Sequence, residues 1–160
     1  MATTTPYSKQ LGDRDPIVAM RENADRVKAI TKGWSAQQFD RPWAPGKWTG
    51  RQILTHLAQT ELALGNRARM ALAIPNYQAQ SFNQDVWIAQ ESGLSGPEAV
   101  DALVALARMN ASFFAALSPS ERERTMVHPE YGAITVDWIL HLLPGHQLNH
   151  IPQLEAIARP

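Results

Sequence analysis

Apolar side chains recur every three or four positions in four separate stretches of this chain, the period of a helix that buries one face. These stretches are residues 15–33, 49–73, 95–117 and 135–158. No window alternates apolar and polar residues for long enough to predict a strand. The sequence therefore predicts an all-α fold, a four-helix bundle.

The connection between the second and third predicted helices is unusually long. It covers about twenty residues, from 74 to 95, which is too long for a hairpin between neighbouring antiparallel helices. It therefore predicts a crossover along the bundle. Residues 1–14 show little apolar pattern and are predicted to form a tail, and residues 15–160 are predicted to form a single domain.

Composition excludes several classes of protein. The chain contains no cysteine, so a metal ion would have to be held by imidazole, carboxylate or carbonyl groups. Fifteen basic residues balance fifteen acidic ones, and no basic run is present that could neutralise a nucleic acid. No stretch approaches the roughly 18 apolar residues of a membrane span. We expect a cytoplasmic protein that binds neither nucleic acid nor membranes.

Three histidines are candidates for metal ligands. His146 and His150 lie four residues apart on the last predicted helix, so both imidazoles project from the same face. Helical geometry at 100° per residue places this pair, and His56 on the second helix, toward the bundle interior. From spacing alone, histidines that are hydrogen-bonded within the core remain an alternative to a metal site.

The other histidines and the nearest carboxylate fit a metal site less well. His141 projects about 140° from His146 on a regular helix, and Glu61 projects about 140° from His56. Glu61 is therefore expected to make a polar contact on another face. His128 precedes Pro129 in a predicted turn, and we expect a solvated loop residue there.

The segment PGKWTGRQILTHLAQTE contains Trp48, His56 and Glu61, and the segment GHQLNHIPQL contains His146 and His150. Together these two motifs resemble the DinB/YfiT-like superfamily of bacterial four-helix metalloproteins. The resemblance spans residues 15–157. It implies that the three histidines bind one divalent metal ion per chain, with nickel or zinc the principal candidates.

The resemblance also implies a reaction class. Several members of this superfamily transfer low-molecular-weight thiols such as bacillithiol or mycothiol, which leads to the hypothesis of a metal-dependent thiol S-transferase acting on a small molecule. Arg67 and Arg108 are then candidates to bind the carboxylates of the thiol, and Gln153 is a further candidate for substrate binding. A homodimer is also expected, because family members often pair through helix faces.

Two alternatives remain open from the sequence. One is a metal-dependent hydrolase, in which Asp85 or Glu91 would act as the general base. The other is a module that binds a metal or ligand without catalysis. Pro144 and Pro152 flank the predicted ligand pair, and each is expected to kink or partly unwind the last helix.

Overall fold

The computed structural model describes residues 3–159, and within that range the chain forms eight helices and one two-stranded sheet. None of these helices combines the length and apolar character required to cross a bilayer. In chain order the elements are α1 (Ser8–Leu11), α2 (Pro16–Thr31), α3 (Ala36–Phe39), α4 (Gly50–Ala73), α5 (Gln84–Gln90), α6 (Gly96–Ala115), α7 (Pro119–Arg122), β1 (Thr125–His128), β2 (Gly132–Thr135) and α8 (Val136–Ala158).

Each of the four long helices, α2, α4, α6 and α8, begins at a side chain that caps its first turn. Asp15 accepts hydrogen bonds from the first backbone N–H groups of α2, and Thr135 accepts one at the start of α8. Thr49 and Ser95 each take part in a capping box at the start of α4 and α6. These caps satisfy N–H groups that have no partner within the helix.

The four long helices form a bundle in which α4 and α2 each pack against both α6 and α8. Helices α4 and α6 run parallel: Arg51 Nη1, near the start of α4, donates to Ser92 O just before α6 at 2.8 Å. Farther along both helices, Gly65 lies against Asn110. The connection that contains α5 therefore returns along the bundle, and the predicted crossover and four-helix fold are confirmed.

The two-stranded sheet is the part of the fold that the apolar pattern did not predict. Strands β1 and β2 pair antiparallel, from Thr125 opposite Thr135 to His128 opposite Gly132. Each strand has only four residues, too few for a period-two pattern to stand out. The sheet also changes the environment of His128, which is buried in β1 and is not the solvated residue that was expected.

Helix α8 passes through both of its prolines without interruption, so the expected partial unwinding does not occur. The side chain of Asn23 on α2 donates to Pro144 O at 3.2 Å and braces this part of α8. Both candidate ligands of the last helix are therefore presented from one continuous helix.

The N-terminal segment packs on α8. Leu11 is buried, and Trp138 Nε1 donates to Thr4 O at 3.0 Å. A Cβ atom at Gly145 would lie 2.8 Å from both Cβ and the backbone oxygen of Tyr7, so the glycine leaves room for this segment. Residues 3–11 thus form a wall beside the middle of α8.

Two apolar clusters fill the bundle, and a layer of buried polar side chains lies between them. One residue of this layer comes from each long helix. They are Asn23, Glu61, Asn110 and Gln147. The histidines of α4 and α8 lie next to this layer.

Candidate metal centre

His56, His146 and His150 converge in the interior of the bundle, and all three are at least nine-tenths buried. His56 Nε2 lies 3.1 Å from His146 Nε2, and His150 Nε2 lies 3.1 Å from the same atom. Each residue contributes one ring nitrogen, and these three nitrogens all lie within 4.8 Å of one another. The central member of the three is His146.

These spacings fit a metal ion. Metal–nitrogen bonds of about 2.0–2.1 Å place adjacent ligand nitrogens roughly 2.9–3.4 Å apart in octahedral or tetrahedral geometry. Two nitrogen pairs already lie within that range. A set of three imidazoles suits zinc, nickel, copper or iron(II) better than calcium or magnesium. The cluster is therefore suitable for one divalent ion, with further coordination positions left for other groups.

Burial keeps the three imidazoles neutral, as metal binding requires. Desolvation, with a smaller contribution from nearby His150, lowers the pKa of His56 to about 3. Desolvation also lowers the pKa of His146 well below its usual value, and both neighbouring histidines add to this effect. The pKa of His150 is lowered for the same principal reason. Each neutral ring consequently has one nitrogen lone pair at neutral pH.

The outer nitrogens of the cluster have unequal partners. Gln153 Oε1 lies 2.8 Å from His150 Nδ1 and can accept its proton, which leaves the Nε2 lone pair of that ring facing the cluster. His56 Nδ1 is buried and has no hydrogen-bond partner. The indole of Trp48 packs on His56 and stacks on His150.

A cavity of about 460 Å³ opens beside the cluster, with His56 and His146 in its wall. Arg67 also lines it and is buried, with Nη1 2.8 Å from His128 Nε2 and Nη2 donating to Gln80 O. The structure thus brings Arg67 and the histidines to one cavity. Tyr7 also lines the cavity, and its ring lies 5.1 Å from that of His146.

Of the other residues considered from the sequence, Asp85 lines this cavity, whereas Arg108, Glu91 and His141 do not. Arg108 is not brought to it: its guanidinium pairs with Asp25 at 2.6 Å on the exposed surface between α2 and α6. Asp85 lines the cavity at its exposed rim, whereas Glu91 accepts from Gln59 at 2.9 Å elsewhere. His141 bonds Asp137 within α8 and lies outside the histidine cluster.

Two residues around the centre, Tyr7 and Asn110, were missed by sequence reasoning. Tyr7 lay in the predicted tail, and the only signal for it was Gly145, the small residue directly before a candidate ligand. Asn110 offered a clearer signal, because it follows Ala107 by three residues and precedes Phe114 by four on the apolar stripe of α6. A polar residue on such a stripe is expected to have a buried partner.

Two relatives of known sequence are similar to most of this chain. A protein of Oceanobacillus iheyensis, whose name proposes a metal-dependent hydrolase, is 25% identical over 124 residues, which cover 77% of this chain and 72% of that protein. A similarly named protein of Bacillus mycoides is 23% identical over 142 residues, covering 88% and 82% of the two chains.

A solved structure matches nearly the whole chain. YfiT from Bacillus subtilis, described as a probable metal-dependent hydrolase with an unusual four-helix bundle topology, superposes with a TM-score of 0.82 at 20% identity. The match covers 99% of this chain and 90% of YfiT, and it shows a shared fold. The sequence profile of the DinB superfamily matches residues 19–154. The chain therefore belongs to the DinB superfamily.

Proposed function

We propose that His56, His146 and His150 hold one divalent metal ion and that the protein is a metal-dependent enzyme acting on a small molecule in the adjoining cavity. The convergence of three neutral, buried imidazoles at 3.1 Å spacings supports the metal site. A bound divalent ion would lower the pKa of a thiol or a water molecule that it binds. Nickel and zinc are the principal candidates for the ion.

Our leading proposal for the reaction is transfer of a low-molecular-weight thiol to an electrophile. The thiol sulfur forms a bond to an electrophilic carbon, the leaving group departs with its bonding electrons, and the thiol proton passes to solvent. The observation that carries this ranking is the absence of a carboxylate from the histidine cluster within residues 3–159. Attack by water generally requires a positioned base, whereas a thiol that is ionised at the site does not.

Residues of the cavity have distinct roles in this proposal. Arg67 is buried in the cavity wall and has no carboxylate within ion-pairing distance in the described chain, so it can bind a carboxylate of the thiol. Tyr7 and Trp138 line the same cavity and limit access of water. A homodimer remains our expectation for the assembled protein.

Hydrolysis is the second candidate, and one observation favours it. Asp85 and Glu130 line the rim of the same cavity, and either carboxylate could accept a proton from water. The names given to the Oceanobacillus and Bacillus relatives also propose hydrolysis.

The test compares both reactions on protein loaded with Ni²⁺ or Zn²⁺. We expect conjugation of a thiol panel, including bacillithiol and mycothiol, to a chromogenic electrophile, and slower cleavage of ester and amide substrates. A chelator should abolish the activity. Metal-dependent ester or amide cleavage without added thiol would establish the hydrolase instead, and neither activity across a broad panel would favour a non-catalytic binding module.

A further inference from the structure

A chain of hydrogen bonds joins all four long helices beside the metal centre. Glu61 on α4 accepts from Gln147 Nε2 on α8 at 2.6 Å and from Asn110 Nδ2 on α6 at 2.8 Å. Asn23 Nδ2 on α2 donates to Gln147 Oε1 at 3.0 Å. All four side chains are almost completely buried, so each of these bonds is shielded from water.

The groups at the two ends of this chain of hydrogen bonds determine which side chain donates and which accepts in each bond. At one end, Arg69 Nη1 donates to Asn110 Oδ1 at 2.8 Å, and a guanidinium can only donate. Asn110 must therefore present its Nδ2 to Glu61. At the other end, Asn23 Nδ2 donates to Pro144 O, and a carbonyl can only accept.

The direction of the bonds then requires a double acceptor at position 61. Because Asn23 donates to Gln147 Oε1, the amide nitrogen of Gln147 is left to donate to Glu61. Donors reach Glu61 from both sides, and only a carboxylate has two oxygens to receive them. A glutamine there would set its own NH₂ against one of these donors.

Gly65 leaves the space that this chain of hydrogen bonds needs. A Cβ atom at Gly65 would lie 2.4 Å from Asn110 Oδ1 and 2.6 Å from Asn110 Nδ2. The absence of a side chain on α4 is therefore what allows Asn110 to reach across to Glu61.

The hydrogen bond between Glu61 and Gln147 joins α4 to α8, the two helices that carry the histidines. Gln147 directly follows His146 on α8, and Glu61 follows His56 by five residues on α4. Helices α4 and α8 are thus connected at two adjacent points, between His56 and His146 and between Glu61 and Gln147.

We propose that Glu61 is a positioning residue of the metal centre: by holding Gln147, it fixes α8 against α4 so that His146 meets His56 at ligand spacing. The inference rests on the metal centre proposed above. It assigns no contact with the metal to Glu61, which acts through Gln147. Partners that orient metal ligands typically change metal affinity 10- to 100-fold when they are removed.

The test is a reciprocal exchange of the two side chains. Glu61→Gln should weaken Co²⁺ and Zn²⁺ binding by roughly 10- to 100-fold at pH 8 and change the visible absorption spectrum of bound Co²⁺. The double variant Glu61→Gln/Gln147→Glu should restore affinity to within a few-fold of wild type and restore the spectrum. In the double variant the glutamine accepts from Asn110 and donates to the new carboxylate, which also accepts from Asn23.

Glu155→Gln is the matched control, since this carboxylate lies on α8 but pairs with Arg26 at the surface. It should bind Co²⁺ as wild type does. All measurements are made where circular dichroism shows a fully folded chain, so that the Co²⁺ spectrum reports on ligand geometry. If Glu61→Gln does not fold, the double variant decides alone: folding with near-wild-type affinity supports the proposal, and failure to bind overturns it.

Two results on folded variants would overturn the role of Glu61. One is wild-type affinity and an unchanged spectrum for Glu61→Gln, and the other is a double variant no better than the single one. Failure of the wild-type protein to bind Co²⁺ or Zn²⁺ would instead refute the metal centre itself. The two proposals are thus tested by different comparisons.

Discussion

The bundle buries two polar clusters next to each other on α4, and they differ in whether their hydrogen-bonding groups are satisfied. In the cluster around Glu61, each donor meets an acceptor and the carboxylate receives two hydrogen bonds. In the cluster around His146, three imidazole nitrogens face one another, and the outer nitrogen of His56 has no partner. The first cluster is closed, and the second is open toward a cavity.

This difference separates a cluster that joins the helices from one whose facing ring nitrogens are suited to bind a cation. Unsatisfied buried polar groups are costly and therefore rare, so the buried Nδ1 of His56, which has no partner, requires an explanation. A cation bound by the ring nitrogens that face one another around His146 would explain why the three rings converge. The cluster around Glu61 gains nothing from a ligand, and its benefit is the fixed relation between the helices that it joins.

Removing a member of the open cluster should have the largest effect on metal binding. His56→Ala, His146→Ala and His150→Ala should each lose most of the one metal ion expected per chain, with affinity more than roughly 100-fold weaker, because loss of a ligand should exceed loss of an outer partner. Metal analysis of the purified variants and competition with a chelator measure the effect.

His141→Ala is the control for these variants, because His141 lies on the same helix but bonds Asp137 outside the cluster. It should retain the metal. Retention by all three ligand variants as well would mean that the open cluster is not a metal site.

Glu61 in the closed cluster should make the free energy of unfolding depend on pH. Burial raises the pKa of Glu61 from 4.5 to about 7, although hydrogen bonds from Asn110 and Gln147 oppose the rise. As pH rises from 4.5, the unfolded chain releases this proton before the folded chain does, so folding is destabilised until about pH 7. At 1.36 kcal/mol per pH unit, the total effect is about 3 kcal/mol.

Urea unfolding of the metal-free protein from pH 5 to 8 tests this effect. The free energy of unfolding of wild type minus that of Glu61→Gln should fall by about 2–3 kcal/mol over the range. The subtraction removes the opposite trend of the buried histidines, whose lowered pKa values favour folding at higher pH. A difference that stays constant with pH would show that Glu61 ionises as freely in the folded chain as in the unfolded one.

The open cluster was largely predictable from sequence, whereas the closed one was not. His146 and His150 share a helix face through local spacing alone, and a recognisable motif adds His56. The partners of Glu61 come from two other helices, α6 and α8, and no local rule pairs residues 49 or 86 positions apart. Helix geometry did predict that Glu61 would make its polar contact on another face.

Replacement of Arg67 tests whether the cavity beside the open cluster binds the substrate. If this buried guanidinium binds a carboxylate of the thiol, Arg67→Ala should raise KM for the thiol roughly 10- to 100-fold with little change in kcat, as expected for a lost charge-assisted hydrogen bond. Steady-state kinetics with varied thiol measure this. Arg108→Ala is the matched control, since Arg108 pairs with Asp25 at the surface, and it should change KM less than about twofold. Equal effects of the two variants would remove Arg67 from the binding site.

Gln153 is the one described partner on the outer side of the open cluster, and its replacement should have the smallest effect of this series. Gln153 Oε1 lies 2.8 Å from His150 Nδ1 and favours the tautomer that turns the Nε2 lone pair toward the metal. Gln153→Ala should therefore weaken Zn²⁺ binding by about tenfold, at the low end for such partners, because only one of the three ligands loses its orientation. Gln153→Glu should retain or strengthen binding, since a carboxylate accepts the same proton and makes the imidazole more basic.

Asn149→Ala, which removes an amide bonded to Gln10 at the surface of the same helix, should leave affinity unchanged in the same chelator competition. If Gln153→Ala matches this control, the orientation of His150 comes from its packing against Trp48 and not from the hydrogen bond.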